Sequence, residues 1–134
     1  MNREWSEQNK LIQLQIKKKD TFLAGINTLM ELRRELMEQI QQFREELSQE
    51  DFSEMPFMNV RGYHSKSIAY SLWHIFRIED IVAHTLIAGD EQVFFRGNYQ
   101  ERINSPITTT ANELVKEEIK EFLIQDGIGP FYKK

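Results

Sequence analysis

Between Ser67 and Ala88, apolar residues recur at helical spacing on two faces of one stretch. Ile68, Leu72, Ile75, Val82 and Leu86 form one stripe, and Tyr70, Ile78 and Ile81 form another. A helix with one apolar face can lie on a surface, whereas one apolar over most of its circumference needs neighbours on both sides. This run therefore predicts a central bundle helix over about 67–88. Ser65 or Ser67 is placed to cap its start with a side-chain oxygen. Gly89 suits the left-handed residue that ends it.

A second long helix is expected over about 20–48, where Phe22, Ile26, Leu29, Leu36, Ile40, Phe43 and Leu47 fall three, four or seven apart. Leu32 widens its stripe. Asp20 or Thr21 can cap it, and at 1.5 Å per residue it would be roughly 40 Å long. Upstream, Trp5 to Ile16 reads as an extension of this helix or as a short separate one, and the Ile12–Ile16 alternation also admits a strand. Asp51, Pro56, Asn59 and Gly62 break the chain between the long helices. The stretch 90–110 is irregular, yet Val93-Phe94-Phe95 makes it too apolar for a free linker. Thr110 and Glu113 have capping-box spacing ahead of a short helix over about 113–125, with Val115, Ile119 and Phe122 inward. Asp126-Gly127 and Gly129-Pro130 are expected to end that helix.

The expected fold class is thus all-α, one domain over 1–134, dominated by an antiparallel pair formed by 20–48 and 67–88. Its 134 residues, 40% hydrophobic and 28% charged, suffice for a single core. A net charge of −4, with Lys17-Lys18-Lys19 as the only basic run, argues against nucleic acid and anionic membrane as partners. No run reaches the roughly 18 apolar residues of a membrane span, and Met1 to Trp5 lacks the apolar core of a signal peptide. Without cysteine there is no disulfide framework, thiolate zinc site or cysteine nucleophile. The expected setting is the cytoplasm.

His74 is the residue most open to a chemical role. It shares a stripe with Tyr70, Ile78 and Ile81, so it faces the packed side, where a neutral imidazole can be a metal ligand, a general base or a hydrogen-bonded core residue. His64 and His84 each lie ten residues away, about 80° around an ideal helix, and no His-x-x-x-His pair exists. His64 is expected in the loop. His84, one turn after Asp80, suggests a surface hydrogen bond. Arg77 and Asp80 are placed to pair along the helix surface; the alternative is that Arg77 or Glu79 reaches a pocket or another helix. The serines at 65, 67 and 71 lack the glycine elbow of a hydrolase, and Glu117, Glu118 and Glu121 read as a solvated face.

From Ser67 to about Ile128 the chain resembles the DinB/YfiT-like superfamily, which includes bacillithiol S-transferases and mycothiol-dependent enzymes. The resemblance rests on Ser67-Ile68-Ala69, Leu72-Trp73-His74-Ile75, Arg77-Ile78-Glu79-Asp80 and Gly89-Asp90-Glu91-Gln92-Val93-Phe94. Glu101-Arg102-Ile103-Asn104, Ile107-Thr108 and Glu117-Glu118-Ile119 continue it. It implies an up-down four-helix bundle binding nickel or zinc through three histidines, with His74 matching the first. It also implies a small-molecule thiol as substrate if the metal site is intact. The other two histidines form a His-x-x-x-His pair near the end of full-length relatives, and this chain has no counterpart to it. Tyr70-Ser71 stands where relatives often carry Trp-His.

Two readings follow. The favoured one is a shortened, non-catalytic interaction or oligomerisation module whose bundle is completed by dimerisation, with Ile78, Ile81 or Leu86 in the contact. The other is a metal-dependent thiol S-transferase or hydrolase with His74 as a ligand.

Overall fold

A computed structural model describes residues 3–62 and 65–125, with 121–125 as backbone only. Among the described residues all regular structure is helical, so the chain is all-α there. It divides into two compact units, Met1–Glu46 and Leu47–Lys134.

The first unit is a helical hairpin. Residues Trp5 to Ile16 form neither a strand nor an extension of the next helix: α1 is a separate helix, Arg3–Gln15. A turn and one 3₁₀ turn, Lys19–Thr21, lead into α2, Phe22–Glu46. Thr21 is not a cap; its hydroxyl donates to the Gln15 carbonyl at 2.7 Å and closes the turn instead. Trp5 Nε1 donates to Glu35 at 3.0 Å and Thr28 Oγ1 to the Gln15 side chain at 3.0 Å. The start of α1 thus lies beside the middle of α2, which makes the pair antiparallel. A Cβ on Gly25 would stand 2.8 Å from Ile16 Cγ2, so only glycine lets the turn approach this closely.

Ile12 and Leu32 are buried in this hairpin, whereas Phe22, Leu29, Leu36 and Phe43 are exposed. Gly25 and Leu32 are thus the buried positions of α2, while Leu29 and Leu36, three and four residues from Leu32 on the same side, remain exposed. The close approach at Gly25 seats Gln15 and Ile16, at the end of α1, against this side of α2.

The second unit is built around α4, Ile68–Asp80. Before it comes α3, Gln49–Ser53, a short helix inside the stretch expected to be a break. Ser48 and Asp51 form its capping box, each side chain taking the other's backbone N–H, and Phe52 is buried beneath it. Ser67 is the cap of α4: its Oγ accepts from Tyr70 N at 3.0 Å. Ser65 instead donates to the Pro56 carbonyl.

The expected helix end at Gly89 is confirmed by its φ of 71°. Unforeseen is the geometry just before it, since Ile81–Ala88 continues α4 as a π-helix. Such wider turns are rare and short. Gly89 N–H closes this one onto the His84 carbonyl at 2.7 Å.

Two short helices follow, α5 at Val93–Arg96 and α6 at Tyr99–Arg102, and Phe94 packs inward, so the 90–110 stretch does fold back. The last described helix, α7, is Lys116–Gln125 and packs on α3 and α4. Its expected capping box at Thr110 and Glu113 does not form. Glu113 accepts from the Thr109 hydroxyl instead, and Glu118 reaches back to Val115 N at 2.8 Å as the cap of α7. Ile119 is buried as expected, but Val115 is exposed, because it sits before the helix rather than inside it. The Phe122 side chain, and the turn expected at 126–130, lie outside the described residues.

Candidate functional site: the α4 clamp

Three side chains of α4 grip three consecutive main-chain carbonyls of the segment 108–110. Arg77 donates to Thr108 O from Nε at 3.0 Å and from Nη2 at 2.7 Å. Trp73 Nε1 donates to Thr109 O at 3.0 Å. His74 Nδ1 lies 2.7 Å from Thr110 O. Residues 73, 74 and 77 are neighbours on one flank of a helix, so an extended chain lying across it meets them in turn. Irregular chain packed against a core needs partners for its carbonyls, and α4 supplies them.

Arg77 anchors this clamp. Its side chain is only 4% exposed, whereas periodicity placed it on the surface. The expected pair with Asp80 exists at 3.0 Å, but it is buried. The Arg77 guanidinium also donates to Gln92 Oε1 at 2.8 Å and lies 4.3 Å from the Phe94 ring centroid. Burial pulls its pKa below the ordinary arginine range, and Asp80 opposes that shift. It stays charged because guanidinium pKa values lie so far above neutrality. Arg77 thus reaches neither a pocket nor another helix in this contact, but the irregular segment at Thr108.

Asp80 holds two partners at once. Its Oδ1 accepts from Val93 N at 2.8 Å, and its Oδ2 accepts from Phe94 N at 2.9 Å. It thereby caps α5 from a distance while holding Arg77. Gln92 Nε2 donates to Thr85 Oγ1 at 3.0 Å, tying the returning loop to the π segment.

His74 is half-buried, stacked on Tyr70 with ring centroids 5.7 Å apart and planes 12° apart. Lys66 Nζ lies 4.3 Å from the centroid of that same tyrosine ring. His84 is elsewhere: its Nδ1 meets Asp90 Oδ1 at 2.6 Å and its Nε2 is 3.9 Å from Asp80 Oδ1. The hydrogen bond expected of His84 therefore goes chiefly to Asp90. His64 lies outside the described residues.

A resident nickel or zinc would need several donors converging on one point. Among the described residues no group of three or more histidine, cysteine, aspartate or glutamate side chains is arranged to hold a metal ion. His74 offers one nitrogen, and His84 is committed to its carboxylates. The described donor set does not fit a three-histidine centre.

On a different flank, α4 and the π segment expose an apolar stripe: Ile75, Ile78, Val82, Leu86 and Ile87, the last 79% exposed. An open groove of about 420 Å³ runs along it, lined by Ile75, Ile78, Glu79, Val82, Ala83 and Ile87. Every lining residue comes from this one continuous helix, so the groove encloses nothing, unlike the concave pockets that take small molecules. No helix among the described residues is long and apolar enough to cross a membrane. Comparison with family models, with curated proteins and with solved structures gives no match.

Proposed function

We propose that this chain is a non-catalytic helical module that self-associates as a homodimer through the exposed stripe of α4 and its π continuation. The observation carrying this is the contiguous aliphatic face Ile75, Ile78, Val82, Leu86 and Ile87. Contiguous apolar surface of this kind on a soluble protein marks an interaction site more often than not.

A second copy is the occupant the chemistry favours. The groove holds a single charged residue, Glu79, so it offers no charge pattern that would select a foreign helix. A two-fold axis uses the same patch twice. An antiparallel crossing centred on Val82 sets Ile78 opposite Leu86 of the other copy. It also brings Glu79 opposite Thr85, whose hydroxyl can donate to the carboxylate, and Ile81 falls at the margin. A stable contact of this type should bury roughly 1,200 Å² or more. The test is the mass of the full chain in solution, by sedimentation or light scattering.

A second reading, the DinB-like metal-dependent thiol S-transferase or hydrolase, has one observation in its favour. Histidines that bind metals commonly donate their other ring N–H to a backbone carbonyl, and His74 Nδ1 is so placed on Thr110. The remaining ligands would have to come from outside the described residues or from another chain. Metal analysis of the purified protein tests it: near-stoichiometric nickel or zinc, lost in His74→Ala, supports this reading. Metal-free protein that stays metal-free after incubation with either ion rejects it.

A further inference from the structure

We propose that the segment 108–111 is a tautomer lock for His74, with Ala111 as its positioning residue. The inference stands independently of the self-association proposed above. A carbonyl oxygen can only accept, so the 2.7 Å contact between Nδ1 and Thr110 O requires the proton on Nδ1. Neutral His74 is then the Nδ1–H tautomer, with its lone pair on Nε2. In water a free histidine side chain favours the opposite form, so the protein has to impose this one.

What imposes it is the rigidity of the carbonyl. Thr108 O and Thr109 O, the two preceding carbonyls, are pinned by Arg77 and Trp73. Immediately after Thr110, Ala111 adopts φ 63° with 0% exposure. A non-glycine residue rarely takes this conformation, and a buried one holds it only where the surroundings over-determine it. Here the Thr109 hydroxyl accepts the Ala111 N–H at 3.3 Å, and Leu114 N–H takes the Ala111 carbonyl at 3.1 Å. The left-handed turn directs the Thr110 carbonyl back onto α4, and Tyr70 holds the imidazole plane against it.

The consequence is a rule for what His74 can bind. Nε2 meets a ligand with its lone pair, so apart from a metal ion the ligand must bring a hydrogen-bond donor, such as an ammonium, a hydroxyl or an amide N–H. A carboxylate or phosphate finds no free donor on the neutral ring, because the Nδ1–H is given to Thr110 O.

Nitrogen-15 NMR of the histidine-labelled full chain, recorded where imidazoles are neutral, reads the tautomer directly. His64→Gln and His84→Gln variants assign the signals. In the wild type, His74 should show a protonated Nδ1 and an unprotonated Nε2. Ala111→Gly should keep that pattern, because glycine takes the same φ without strain. Ala111→Val should shift it toward Nε2–H. If the valine variant does not fold, Thr109→Ala takes its place, removing the hydroxyl that receives the Ala111 N–H, with the same shift expected. A wild-type His74 protonated on Nε2 overturns the lock. A folded Ala111→Val, or in its place Thr109→Ala, with the wild-type pattern overturns the role given to this turn. A merely structural role for Ala111 would lower stability and leave the tautomer alone.

Discussion

Arg77 and Asp80 face each other at 3.0 Å, one turn apart on α4, and through this pair two loops distant in sequence are fastened to one helix. Arg77 takes the carbonyl of Thr108, 31 residues on. Asp80 takes the N–H groups of Val93 and Phe94. The clamp is therefore a structural device first, and the most conspicuous charges of the Trp73–Asp80 run are spent on folding.

Removing the Arg77 charge leaves the largely buried Asp80 carboxylate without its counter-charge and the Thr108 carbonyl without its donor. Arg77→Met is expected to lose about 3–5 kcal/mol of stability. Arg77→Lys keeps the charge but not the planar fork and should fall between the two. Urea denaturation measures both. A loss below about 1 kcal/mol for Arg77→Met would show that the clamp contributes little.

Asp51 provides a pH prediction. The Ser48 backbone N–H and hydroxyl hold its carboxyl below the ordinary aspartate range. A depressed folded-state pKa means that its contribution is fully present above the unfolded value, about 3.9, and is lost as pH falls through the lower folded value. The Ser48 amide resonance should thus report the first turn of α3 intact at pH 5 and loosened only in stronger acid. In Asp51→Asn that acid step should vanish. A wild-type midpoint at or above the ordinary aspartate value would contradict this capping account.

Local signals in the chain were readable. The Ser67 cap and the Gly89 terminator depend on residues within one turn of themselves, and both are where side-chain chemistry puts them. The short helix α3 is less legible: Ser48 and Asp51 have capping spacing, but the turn residues around them mask it. Periodicity told which residues share a face but not which face acquires a neighbour. On α2, Leu32 is buried while Leu29 and Leu36, on the same side, stay exposed. On α4 the aliphatic stripe through Ile75 and Val82 is exposed while Arg77 is buried. Nothing near Arg77 in sequence announces this, since its partner carbonyl arrives from residue 108. The π geometry of Ile81–Ala88 likewise has no signature in an aliphatic run that would suit an ordinary α-helix.

The same exposed stripe makes the central proposal directly testable. Sedimentation of the full chain at micromolar concentration should give the mass of a dimer. Ile78→Glu would place two unpaired carboxylates in the contact and should weaken the dimer roughly a hundred-fold or more, leaving helicity unchanged. A wild-type chain that sediments as a stable monomer, or an Ile78→Glu chain that stays as dimeric as the wild type, would contradict self-association through α4.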